Sequence, residues 1–314
     1  MQNIVPVVNR KLITSELTKE KFVRKTNFGV NDVFIITAHD SPNTMREIGR
    51  LREISFRDAG GGTGKSLDID EFDTRPNPYK QLIVWNPYQQ EIVGGYRFFK
   101  LKEAEMDKDN KYNLATSHIF EFSGKFINEY FPCTMELGRS FVQPRFQPKK
   151  NYRKGIFSLD NLWDGLGSLI VDNKDIKYFF GKITIYLNFD QKARDMILYF
   201  LFRYFPDNEN LVKPYKSRGI KTDISEISSV FKGNSFKEDY KILIKAIRSI
   251  NSQIPPLINA YMNLSPTMKT FGSSVNPLFG DVEEIGILVS IPDIYHSKKN
   301  RHIATYMNSN YKTD

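Results

Sequence analysis

Apolar residues recur three or four positions apart at Met45, Ile48, Leu51 and Ile54, the spacing that places side chains on one face of a helix. Ser41-Pro42 offers an N-cap followed by proline at the first helical position, and Gly60-Gly61-Gly62 supplies the stop. Val33 to Ala38 and Gln81 to Trp85 are β-rich runs, and Glu91 to Leu101 carries Tyr96, Phe98 and Phe99. Because Asn86-Pro87-Tyr88-Gln89-Gln90 joins the last two, they are predicted to form an antiparallel hairpin.

Beyond the hairpin the pattern predicts a helix at Ser123 to Tyr130, a strand at Thr134 to Val142 and a helix at Leu159 to Val171. A strand at Tyr178 to Tyr186 and a helix at Gln191 to Phe205 follow. Residues 206–234 lose periodicity and read as an irregular insertion. Helices follow at Phe236 to Ser249 and from Pro255-Pro256 to Met262, then a strand at Ile285 to Ile291 and a polar, mobile tail over 296–314. This alternation predicts one α/β (α+β) domain over 1–314: a mixed central sheet flanked by helices, with a C-terminal helical extension.

Forty-five Lys and Arg against 36 Asp and Glu give a net charge of +9, which favours an anionic partner: nucleic acid, membrane surface, or an acidic or phosphate-bearing substrate. A single cysteine, Cys133, and the scattered His39, His118, His296 and His302 provide neither an internal disulfide nor metal-ligand spacing, so no metal is expected. Cys133 reads as a small core residue. Charges interrupt every apolar run before membrane-spanning length, and residues 1–11 lack the apolar core of a secretory signal. The expected setting is a reducing cytoplasm, with peripheral contact at an anionic membrane left open.

Ala59-Gly60-Gly61-Gly62-Thr63-Gly64-Lys65-Ser66 satisfies the relaxed phosphate-loop pattern. The mechanism of that loop needs a strand before it and a helix after it. Here an amphipathic helix precedes it, and the acids of Leu67-Asp68-Ile69-Asp70-Glu71-Phe72-Asp73 follow, so a flexible glycine-rich loop is expected and no nucleotide.

Four stretches taken in order carry a different signal: Leu51-Arg52-Glu53-Ile54-Ser55-Phe56-Arg57 with Leu67 to Asp73; Gly94-Gly95-Tyr96-Arg97; Glu136-Leu137-Gly138-Arg139-Ser140; and Leu162-Trp163-Asp164-Gly165-Leu166 ahead of Tyr178-Phe179-Phe180-Gly181. Together they resemble the GNAT-type, acyl-carrier-protein-dependent N-acyltransferases that make the lyso intermediate of ornithine and glycine lipids. More distantly they resemble acyl-homoserine-lactone synthases. The resemblance runs from about Arg46 to Tyr186. It resumes near Pro255-Pro256-Leu257-Ile258-Asn259-Ala260-Tyr261 and at Asn276-Pro277-Leu278-Phe279.

The resemblance implies transfer of a long acyl chain from a carrier-protein thioester to an amino-acid amine, with the acyl-phosphopantetheine as donor substrate and no separate cofactor. An attacking amine must be neutral, and the oxyanion that develops needs N–H donors, which the GNAT fold supplies from its central strand, here Thr134 to Val142. Glu136 is then the candidate base, and Asp70 and Asp73 hold the ammonium or pass its proton out. Arg97 and Arg139 either bind the acceptor carboxylate in a forked pair or fix the acids in place. Equally open is a buried charge network of these five residues with no proton transfer. Glu136 and Arg139 lie three apart, and a regular strand would point them to opposite faces unless it bulges, as Gly138 permits.

Ser140, Phe141 and Val142 are the stretch expected to meet the pantetheine arm. Acetyl-CoA-using members follow the central strand with an Arg/Gln-x-x-Gly-x-Gly/Ala loop. This chain instead has Gln147 to Gly155, whose Lys149, Lys150 and Arg153 suit one phosphodiester and an acidic carrier protein. Glycine and ornithine stay open as acceptors. A lactone-synthase-like enzyme, a non-catalytic GNAT-like scaffold and a nucleic-acid binder are the alternatives; the last is disfavoured, since the basic residues gather on no single helix.

Overall fold

The computed structural model describes residues 1–147 and 157–310. Eight strands form one sheet in the order β1-β2-β3-β4-β6-β7-β10-β9. In chain order these are β1 (Phe22–Lys25), β2 (Asp32–Ile36), β3 (Lys80–Asn86), β4 (Glu91–Lys100), β6 (Thr134–Val142), β7 (Tyr178–Ile185), β9 (Lys269–Asn276) and β10 (Val282–Ser290). The short β5 (Phe120–Phe122) and β8 (Val212–Pro214) pair apart from it. Neighbouring strands are antiparallel except β6 and β7.

The parallel pair is also the shortest in proportion to its strands. Only Thr134, Met135 and Glu136 pair with β7, opposite Tyr178, Phe179 and Phe180, although β6 continues to Val142 along β4. The ladder to β7 therefore stops at Glu136, and among the described residues no strand pairs with the later edge of β6 on that side.

Each face of the sheet is covered. On one lie α1 (Arg10–Glu16), α2 (Pro42–Ala59), α3 (Glu71–Thr74) and the segment 101–131, packed on side chains such as Phe34, Ile83, Phe99, Phe141 and Phe180. On the other, α4 (Ser158–Asp172), α5 (Gln191–Tyr204), α6 (Ile224–Val230), α7 (Phe236–Ser249) and α8 (Pro256–Met262) cover Leu82, Val84, Phe98, Met135, Leu137, Ile285 and Ile287. The mixed sheet with helices on both faces, the β3–β4 hairpin and the principal helices follow the sequence pattern.

Two expectations need correction. The insertion over 206–234 contains β8 and α6, whose Ile227 and neighbouring Phe231 are buried against α5. The tail over 296–314 is helical through its described residues to 310, because His302 and Tyr306 are buried. His302 Nδ1 lies 2.7 Å from Asp164 on α4, and Arg24 donates to His302 O at 3.1 Å. Asp164 also accepts from the Asn27 backbone at 2.8 Å, so the Leu162-to-Leu166 stretch fastens the edge strand and the tail together. No helix among the described residues is long and apolar enough to cross a membrane.

Candidate active site

The path from α2 to β3 positions the acids. Gly49 on α2 lets the returning chain lie against the helix: a Cβ there would stand 2.7 Å from Ile69 Cγ1, and Asp68 N–H donates to Gly49 O at 3.1 Å. That crossing brings Asp68 to the sheet. One turn later Asp70 caps α3, accepting from Phe72 N–H at 3.1 Å, while Asp73 accepts from Asp70 N–H at 3.2 Å. This reciprocal capping box fixes both carboxylates.

Three arginines meet them. Arg97 on β4 donates through Nη1 to both Asp70 oxygens, at 2.7 and 2.8 Å, and lies 3.4 Å from Asp73. Arg52, on the inward face of α2, donates to Asp73 at 3.1 Å and to Gln81, and Gln81 returns an N–H to Asp73 at 3.0 Å. Arg139 Nε stands 3.1 Å from Asp68, its Nη2 is 3.6 Å from Asp70, and its guanidinium lies 4.4 Å above Phe279. Burial alone would raise the Asp70 pKa, but Arg97 and Arg139 outweigh it and hold this carboxylate far below the usual range. Burial would likewise lower the Arg97 pKa, and Asp70 and Asp73 more than reverse that. For Asp68 burial prevails over the pull of Arg139 and raises its pKa.

The bulge in the signature strand is real. Arg97 pairs with Gly138 and Gly95 with Phe141, so two residues of β6 oppose one of β4. The left-handed residue at the bulge is Arg139 itself, with φ of 48°. It places Arg139 on the face that also carries Glu136.

Glu136 nevertheless stands apart from the arginines. It is 1% exposed and accepts a hydrogen bond from Tyr79, whose hydroxyl accepts from Ala115 N–H at 3.1 Å and whose ring stacks on Phe99. Burial raises its pKa against the opposing Tyr79 bond. Of the five residues expected in one network, Arg97, Arg139, Asp70 and Asp73 are joined, and Glu136 is held separately. Arg97 is the residue that joins Asp70 to Asp73.

The sequence reading missed Arg52, Asp68 and Gln81. Arg52 was signalled by its place, four residues after Ile48 and three before Ser55 on the buried face of α2. Ser140 and Val142 are partly exposed along the free edge of β6, whereas the Phe141 side chain is core, so only its backbone can meet an arm. Lys149, Lys150 and Arg153 lie outside the described residues. Cys133 is half-buried rather than core, its sulfur 3.4 Å from Tyr130 O, because it closes an exposed turn before β6. Burial raises its thiol pKa, which disfavours the nucleophilic thiolate.

In the glycine-rich loop, the site a phosphate would take is filled by Glu53. Its carboxylate accepts from Thr63 N–H at 3.1 Å, Gly64 N–H at 2.8 Å and the Thr63 hydroxyl at 2.8 Å. A cavity of about 220 Å³ bounded by Leu159, Trp163, Ala260, Leu264 and His302 lies on the opposite sheet face, away from these charges.

Residues 51–154 match the family described as Acetyltransferase (GNAT) domain. The chain is 51% identical over 307 residues to a glycine N(alpha)-acyltransferase of Phocaeicola vulgatus, covering 98% of this chain and 94% of that protein. It is 52% identical over 309 residues to the protein of the same name from Bacteroides thetaiotaomicron, covering 98% and 92%. The solved CoA-dependent acyl-homoserine lactone synthase BjaI aligns over 89% of each chain at a TM-score of 0.36 and 11% identity, a distance at which no residue can be carried across. With its GNAT domain and its near-full-length relatives, the chain belongs to the family of these glycine N(alpha)-acyltransferases and is an N-acyltransferase.

Proposed function

We propose that the chain transfers a long-chain acyl group from the thioester of an acyl carrier protein to the α-amine of glycine, giving an N-acylglycine, the lyso form of an aminolipid. The observation that carries the acceptor is the identity of about half of all positions, over nearly the whole chain, to two proteins named for glycine. Ornithine, the other acceptor suggested by the sequence, loses ground on the same observation.

In this reading the thioester carbonyl lies along the free edge of β6 beyond Glu136, where backbone N–H groups meet the developing oxyanion, and the arm passes Ser140 and Val142. Arg139, at the margin of the charge cluster, faces the acceptor carboxylate. The donor preference is supported by the net charge of +9 and by Lys149, Lys150 and Arg153, whose cations suit an acidic carrier. A bilayer-bound product also fits a basic protein that touches an anionic membrane from one side.

The test supplies purified protein with acyl carrier protein or CoA thioesters of one long chain, and with glycine or ornithine, and reads products by mass spectrometry. N-acylglycine formed from the carrier thioester, at a rate that falls as salt rises, is the expected result. Preferential acylation of ornithine would overturn the acceptor, and equal use of the CoA thioester would overturn the donor.

A further inference from the structure

The same sheet face carries a second polar group on the β7 side of the free edge. Lys182 on β7 lies 2.5 Å from Glu284 on β10, and Thr184 donates to Glu284 at 3.4 Å. Asn276, at the end of β9, gives its amide N–H to Glu284 at 2.8 Å and takes the Leu278 N–H on its oxygen at 3.1 Å. His118, from the segment covering this face, lies with Nε2 3.0 Å from that same amide oxygen. The stretch from Asn276 to Phe279, singled out in the sequence, thus reaches both ways: Asn276 holds His118, and Phe279 lies beneath Arg139.

This chain of bonds fixes a tautomer. The Asn276 nitrogen donates to a carboxylate and its oxygen already accepts a backbone N–H, so the amide cannot turn. His118 Nε2 must then be the donor, and the neutral ring carries its lone pair on Nδ1. Among the described residues no hydrogen bond reaches Nδ1, and the residue is exposed. Glu136, by contrast, is buried and accepts from Tyr79, with Phe99 and Phe180 opposite it on the neighbouring strands.

We propose that His118 is the catalytic base, its Nδ1 taking a proton from the acceptor ammonium; this rests on reading this face as the acyl-transfer site. The freed amine attacks the thioester carbonyl, forming the C–N bond. As the tetrahedral intermediate collapses, the C–S bond breaks and the thiolate leaves with the second proton of the nitrogen. His118 returns the first proton to solvent, so one proton is released per turnover. The environment suits the role: burial lowers the His118 pKa from 6.5, nearby Lys182 and Arg139 lower it further, and Asn276 and Glu284 oppose them only in part.

His118→Gln keeps a donor for Asn276 and removes the base, and His118→Ala leaves room for a free imidazole. Both are expected to lower kcat by about 10²- to 10⁴-fold with the KM for the thioester and the thermal midpoint unchanged. Added imidazole should restore part of the rate of the Ala variant. The wild-type rise of kcat/KM with pH, at a midpoint below 6.5, should vanish in both. Wild-type kcat in either variant, or a Gln variant with restored activity, overturns the proposal. If the wild-type chain leaves glycine untouched, the glycine reading falls, and the same variants judge His118 with the amine that the chain does acylate.

Discussion

Two charged groups share one face of the sheet, and they are built differently. On the β3–β4–β6 side, Arg52, Arg97 and Arg139 face Asp68, Asp70 and Asp73 with Gln81 between them, so positive and negative charges balance. On the β7–β9–β10 side, Lys182, Glu284 and Asn276 end in His118, whose Nδ1 receives no hydrogen bond from the described residues. Burial of charge is common to both, and so cannot identify the chemistry. Asp70 and Asp73, hydrogen-bonded by Arg97 and Arg52, hold a shape, whereas Asp68, beside Arg139, accepts no hydrogen bond on either buried oxygen; on the other side, the uncommitted lone pair of His118 can move a proton.

The comparison predicts opposite phenotypes, and the largest effect belongs to the balanced side. Asp73→Ala would leave Arg52 and Arg97 buried with one partner fewer, which costs about 3–5 kcal/mol. Denaturant unfolding should show this loss, with the residual activity scaling with the folded fraction. A variant that stays fully stable but inactive would move Asp73 from scaffold to chemistry and collapse the distinction.

A smaller effect tests the same principle in the glycine-rich loop. Glu53→Ala leaves the Thr63 and Gly64 amides without their carboxylate, at a cost of about 1–3 kcal/mol. Hydrogen exchange should quicken at those two amides while kcat at saturating substrate is retained. Exchange unchanged there would mean that the loop is held without Glu53.

Where a feature is local in the chain, the sequence disclosed it. The α2 periodicity ends at a glycine that does adopt the left-handed cap, and the alternation around Asn86-Pro87 does make the β3–β4 hairpin. The strand β9 escaped because Lys269–Asn276 spends its middle on Gly272, Ser273 and Ser274, which carry little β preference. The tail was read as mobile because its polar composition hides two side chains, His302 and Tyr306, that bury only against α4 and the β1 edge. In the site, the order of acids and arginines was legible, and so was the need for a bulge. His118 was not, since its partner Asn276 is 158 residues away and only the sheet order brings β9 beside the covering segment.

The smallest expected effect is the sharpest test of which side holds the base. Glu136→Gln keeps an oxygen to accept the Tyr79 hydroxyl and removes a charge that burial disfavours. Because burial raises the folded-state pKa of Glu136 above 4.5, the folded protein holds a proton that the unfolded chain has given up. The stability this confers is complete below pH 4.5 and is lost as pH rises through the folded value. The variant has no such loss, so its stability relative to wild type should increase as pH is raised from 4.5 towards neutrality, in parallel denaturant titrations. Its kcat should stay near wild type while that of His118→Gln falls. A loss of about 10²-fold or more in kcat with stability intact would return the base to Glu136 and leave the His118 group as the second scaffold of the face.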